Sequence, residues 1–94
     1  MLYRFDHVVG ILNSAKNSNT FEQICAVNTV DHIISAWVCE NSLRDDPLNL
    51  IYHEVQRILG MVEDSEVPSY VKCYLIECII HRLNTMNNYL DNYQ

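Results

Sequence analysis

Residues 68–90, PSYVKCYLIECIIHRLNTMNNYL, decide the fold. Val71, Tyr74, Leu75, Cys78, Ile79, Arg82, Leu83, Met86 and Leu90 recur there at three- and four-residue steps, the period of one helix face. Ile76 and Ile80 widen the stripe, so this helix is expected to be central and contacted on more than one side. Pro68 requires an extended Val67, which fixes where the helix can start.

A second helix precedes it. Asp46 suits the N-cap, and Pro47 suits the first helical position, where its missing N–H would have had no partner. Ile51, Val55, Ile58, Leu59 and Val62 then line one face, and Gly60 weakens the last turn. A short acidic turn, Glu63-Asp64-Ser65-Glu66, separates the two helices. Further upstream, Phe5, Val8, Val9 and Leu12 suggest a first helix that exits at Asn17-Ser18-Asn19. Thr20 and Gln23 have capping-box spacing and open a short helix carrying Phe21, Ile24, Cys25 and Val27. Asn28 or Thr29 then caps another segment, with Val30, Ile33, Ile34, Trp37 and Val38 facing inward. The β-branched residues of 33–38 also fit a strand, but no alternating partner strand exists elsewhere. The expectation is all-α: one domain over 1–94, a small bundle of about five helices, with the amide-rich 88–94 fraying.

The composition agrees with a folded domain: 49% of the 94 residues are hydrophobic, with two Gly and two Pro. Cys25, Cys39, Cys73 and Cys78 lie in apolar, helix-like segments rather than at framework spacing, which reads as reduced, buried thiols in a cytoplasmic protein. The start, Met1 to His7, lacks the basic and apolar regions of a signal peptide. No apolar run approaches the roughly 18 residues that cross a bilayer.

Charge is concentrated in one stretch. Between Glu40 and Glu66 lie seven acids (Glu40, Asp45, Asp46, Glu54, Glu63, Asp64, Glu66) and two bases (Arg44, Arg57), so that stretch carries all but one of the six net negative charges. An acidic surface attracts basic partners and repels nucleic acid and anionic membranes. Direct nucleic-acid or membrane binding is therefore not expected.

Catalytic and metal patterns fail on inspection. His53-Glu54 resembles the start of a His-Glu-x-x-His zinc-protease pattern, but Arg57 stands where the second histidine is needed. Glu54 is expected instead near Arg57 or Ile58 on its own helix, in a pair worth ~0.3 kcal/mol. Cys73, Cys78 and His81 fall short of the four ligands of a structural zinc site, because Cys25, Cys39, His7, His32 and His53 are scattered singly. Only His81 is close enough in sequence to serve a cysteine nucleophile as base. Asp31 and His32 are adjacent and project about 100° apart on a helix. Gly10 and Gly60 build no phosphate loop. No catalytic residue, metal ligand or cofactor is expected.

The acids have an ordinary reading too, as helix cap (Asp46) and as solubilising turn (Glu63, Asp64, Glu66). The partner reading rests on placement. Both clusters flank one helix roughly 25 Å long, and Tyr52 and Tyr70 lie close to them in sequence as interface anchors. The expected partner-binding residues are Glu40, Asp45, Asp46, Tyr52, Glu63, Asp64, Glu66 and Tyr70.

In size, acidity, helical content and lack of catalytic residues, the whole chain is similar to small immunity proteins of bacterial competition, particularly of the contact-dependent growth-inhibition type. No family residue is carried over. The resemblance implies a cytoplasmic toxin inhibitor whose acidic face covers the Lys/Arg-lined cleft of a basic, nuclease-type toxin domain. A phage-encoded inhibitor of a host nucleic-acid-binding defence complex would present the same surface. A homodimeric helical adaptor, paired through its last helix, and a metal-binding or catalytic protein using Cys73, Cys78 and His81 are the alternatives of other classes.

Overall fold

A computed structural model describes residues 5–41 and 46–92, and in it the helical period is realised in four helices rather than about five. They are α1 (Asp6–Ala15), α2 (Thr20–Asn41), α3 (Asp46–Glu63) and α4 (Ser69–Asn92). Each packs on its sequence neighbours, α4 returns to α1, and α2 also meets α4 across the middle. The 24 residues of α4 span about 36 Å at 1.5 Å per residue, which is nearly the full 38 Å length of the molecule. Among the described residues no helix is long and apolar enough to cross a membrane.

The two upstream segments are one helix. The Thr29 hydroxyl donates back to the Cys25 carbonyl at 3.0 Å, so it bonds within the helix instead of capping a new one. Residues 33–38 are helical as well. The cap of α2 is Asn19, whose Oδ1 accepts the Glu22 N–H at 2.9 Å. Thr20 is already helical, and the Gln23 side chain bonds elsewhere, so the expected capping box does not form. α3 opens at Asp46 with Pro47 in its first turn; the cap role read for the Asp46 side chain lies outside the described residues. At α4 the Pro68 carbonyl accepts the N–H groups of Val71 and Lys72, both at 3.0 Å.

The core runs through all four helices: Phe5, Val8 and Leu12; Val27, Val30, Ile34 and Trp37; Leu48, Val55, Leu59 and Val62; Ile76, Ile79, Ile80, Leu83, Met86 and Leu90. Phe5 meets Trp37 edge-on, ring centroids 5.0 Å apart. α4 runs through Asn92, with Leu90 buried.

Several residues expected inside lie outside. Phe21 and Tyr74 are exposed, as are Cys25 and Cys39, while Cys73 and Cys78 are half-buried; all four thiols are free. The reason is angular. Two residues along a helix means about 200° of rotation. Phe21 and Cys25 each lie two positions from the buried Gln23, and Tyr74 lies two from both Lys72 and Ile76.

Three buried polar side chains, Gln23, Lys72 and Asn87, join helix ends. Asn87 on α4 accepts the Phe5 N–H at 2.7 Å, which serves the start of α1, where Phe5 supplies no side-chain cap. Gln23 donates to the Lys16 carbonyl just past α1 at 2.8 Å and to the Ser69 carbonyl at 3.2 Å, and accepts the Ser69 hydroxyl at 2.9 Å. The Lys72 ammonium donates to the Val62 carbonyl in the last turn of α3 and to the Asp64 carbonyl at 2.6 Å. Orphan carbonyls at a helix end are thereby satisfied by a cation, which also suits the negative end of the helix dipole.

Removing this cation is predicted to weaken the fold in two steps. Lys72→Met keeps the buried stem but leaves the Val62 carbonyl without its donor, at a cost of about 1–2 kcal/mol. Lys72→Ala adds an unfilled space and costs about 3–5 kcal/mol. Urea unfolding midpoints order the variants as wild type, Met, Ala; a wild-type midpoint for Lys72→Ala would contradict the assignment.

Candidate protein-binding end

The acidic turn is built around Lys72. After α3 ends at Glu63, the Asp64 N–H donates to the Met61 carbonyl at 3.3 Å, and the Asp64 carbonyl accepts the Val67 N–H at 3.1 Å. Asp64 Oδ1 accepts the Glu66 N–H at 2.9 Å, an Asx turn. Asp64 therefore shapes the turn, while the Glu63 and Glu66 carboxylates are exposed and make no hydrogen bond or ion pair among the described residues.

Aromatic surface follows at once. Tyr70 is 79% exposed and Tyr74 68%. Four residues apart on α4, they stack along one outward face. The backbone beneath them is held. Ser69 bonds Gln23 as above, and its hydroxyl also reaches the Ser18 carbonyl at 3.4 Å. An open hollow of about 530 Å³ lies beside Tyr70, walled by Asn17, Ser18, Ser69 and Cys73 among others. The Cys73 thiol donates to Asn17 Oδ1 at 3.3 Å. Lys16, also lining this hollow, pairs with Glu77 on α4.

The residues expected to bind a partner thus separate into two groups. Glu63, Asp64, Glu66 and Tyr70 come together where α3 turns into α4. Glu40 is exposed in the last turn of α2, from which the chain leads towards the start of α3. Tyr52 is half-buried against the core, its ring tilted on His53 at 5.5 Å. Asp45 and the Asp46 side chain lie outside the described residues. Because α3 has 18 residues, its two ends are about 27 Å apart.

Sequence reasoning missed two contributors at this end. Tyr74 looked like core because its spacing fits the apolar stripe. Lys72 has one signal in the sequence, its place four residues before Ile76 on the buried face. Glu54 does not pair along its own helix: Arg82 Nε donates to Glu54 Oε2 at 2.7 Å, tying α4 to α3. Among the described residues, no three His, Cys, Asp or Glu side chains are grouped to hold a metal.

Compared with family models, curated proteins and solved structures, the chain matches none, so its role is argued from geometry.

The exposed residues of this end are predicted to be dispensable for folding. Glu63→Lys, Glu66→Lys, Tyr70→Ala and Tyr74→Ala should each change stability by no more than about 0.5 kcal/mol. Asp64→Ala should cost about 1 kcal/mol, since it removes the side-chain bond that closes the turn. Thermal or urea unfolding of the five variants checks the contrast; a loss at Glu63 or Glu66 matching that at Asp64 would assign them a structural role.

Proposed function

We propose that this chain is a protein-binding inhibitor that docks a basic partner on the end where α3 turns into α4. The observation that carries the reading is the exposure of uncommitted carboxylates, Glu63 and Glu66, in the turn that leads into α4 and of two outward tyrosines, Tyr70 and Tyr74, in the first turns of α4. Carboxylates steer a cationic partner and set specificity, whereas tyrosines supply contact area with few rotamers to freeze. Neither group serves the core, so both are available for association.

The partner class that fits best is a nuclease-type toxin domain, whose substrate cleft is lined with Lys and Arg. An inhibitor that places carboxylates where phosphates would lie blocks such a cleft electrostatically and sterically. This is the mode of action of an immunity protein, and the chain's net charge of −6 supports it.

The test is capture from the native host at low and high salt, followed by association kinetics with the recovered protein. A basic domain released as salt rises is expected. Glu63→Lys with Glu66→Lys should slow association at least about tenfold at low salt while changing dissociation little. Tyr70→Ala and Tyr74→Ala should mainly speed dissociation. If the double charge reversal left both affinity and salt dependence unchanged, this end would not be the binding surface.

A further inference from the structure

Two of the six Lys and Arg residues of this acidic chain converge on a single hollow between α3 and α4. The hollow has a volume of about 440 Å³ and is lined by Leu50, His53, Glu54, Arg57, Ile58 and Arg82. Five of these come from α3 at one-, three- and four-residue steps, and Arg82 comes across from α4. The volume lies in the range of small-ligand sites.

The two arginines differ in what they are free to do. Arg82 donates from Nε to Glu54 and from Nη1 to the Cys78 carbonyl at 3.4 Å. Arg57 is exposed, and its side chain makes no hydrogen bond or ion pair among the described residues. It is the one Lys or Arg there so placed: Lys16 pairs with Glu77, and Lys72 is buried on its carbonyls. Arg57 and Arg82 against Glu54 leave the hollow with one net positive charge, His53 being counted neutral. Beside this charge, Leu50 is 65% exposed and Ile58 half-buried, so the wall next to Arg57 is apolar.

A guanidinium fork matches a carboxylate through two parallel hydrogen bonds. A phosphate monoester carries nearly two negative charges, and the Glu54 carboxylate in the same hollow opposes the second. We infer that the α3–α4 hollow binds a single carboxylate borne on a small apolar group. Arg57 grips the carboxylate, Arg82 supports it, and Leu50 and Ile58 meet the apolar part. The same chemistry occurs at the C-terminus of a peptide ending in an apolar residue and in a free branched-chain acid. This site is separate from the acidic end, and it takes a ligand of the opposite charge.

The experiment is an amide-resonance titration of the full chain with three probes: a tripeptide of two glycines and a C-terminal leucine, its C-terminal amide, and 4-methylpentanoate. Saturable shifts at Leu50, Arg57 and Arg82 with the free-acid peptide are expected, and none with the amide. Arg57→Ala, which breaks no bond of the fold, should weaken binding at least about tenfold with an unchanged circular dichroism spectrum. Glu54→Gln, which removes the competing carboxylate, should tighten binding by several-fold. Tighter binding of the peptide than of 4-methylpentanoate identifies a chain terminus as the ligand; equal binding identifies a free acid. Equal binding of the amide, unaltered affinity in Arg57→Ala, or no saturable shift with either carboxylate would overturn the site.

Discussion

Lys72 is the constraint on which the arrangement of the other parts depends. Its side chain is fully buried, and its ammonium is held by the Val62 and Asp64 carbonyls. Burying a charge costs several kcal/mol unless hydrogen bonds replace the lost water. The Val62 carbonyl in the last turn of α3, which a helix end leaves without an intrahelical partner, and the Asp64 carbonyl in the turn that follows provide that replacement. The bond also fixes register. Moving α4 by one residue would swing the ammonium by about 100° away from α3, leaving both a bare charge and bare carbonyls inside. The aliphatic contacts between α3 and α4 select the same register, since the same shift would turn Ile76, Ile79 and Leu83 out of the core.

Gln23 and Asn87 extend the same logic to the other helices. Each lies within an apolar face and each serves a terminus: Asn87 the N–H of Phe5 just ahead of α1, Gln23 the carbonyl that follows α1 and the start of α4. α1, with 10 residues, is too short to be stable alone. It is held at its start by Asn87 and at its exit by Gln23, with Phe5 set against Trp37 between α1 and α2. The core supplies most of the driving force, and the buried polar residues select among ways of assembling it.

This division explains what was legible in the sequence. Apolar spacing located α1, α3 and α4, and Pro47 and Pro68 marked two helix starts, because period and proline act locally. The division of α2 was misread at Asn28 and Thr29. Both are good capping residues, and nothing local says that the Thr29 hydroxyl turns back on Cys25. The exposure of Phe21 and Tyr74 is not legible for a related reason: periodicity shows that a residue is apolar but not which angular sector its neighbours occupy. At the candidate binding end, the acids were visible from composition. Their separation into a turn-shaping Asp64 and the exposed Glu63 and Glu66 depends on one backbone bond that no spacing encodes. The α3–α4 hollow depends on a contact across helices, Glu54 to Arg82, between residues 28 positions apart.

Rigidity links the fold to the proposed binding role. Tyr70 and Tyr74 bracket Lys72 on α4, two residues on either side and about 200° round the helix. The anchoring that directs Lys72 into the core therefore directs both rings outward. Gln23 and Ser69 hold the first turn beneath Tyr70, and the Asx turn holds the carboxylates just upstream. A partner meeting this end need not pay to order a loop, so more of the contact energy appears as affinity. Glu54 is paired with Arg82 in the groove between α3 and α4, where Arg57 also lies, whereas Glu63 and Glu66 stand at the turn. The carboxylates of Glu63 and Glu66 and the side chain of Arg57 thus remain unpaired among the described residues, which gives this acidic chain two surfaces of opposite charge.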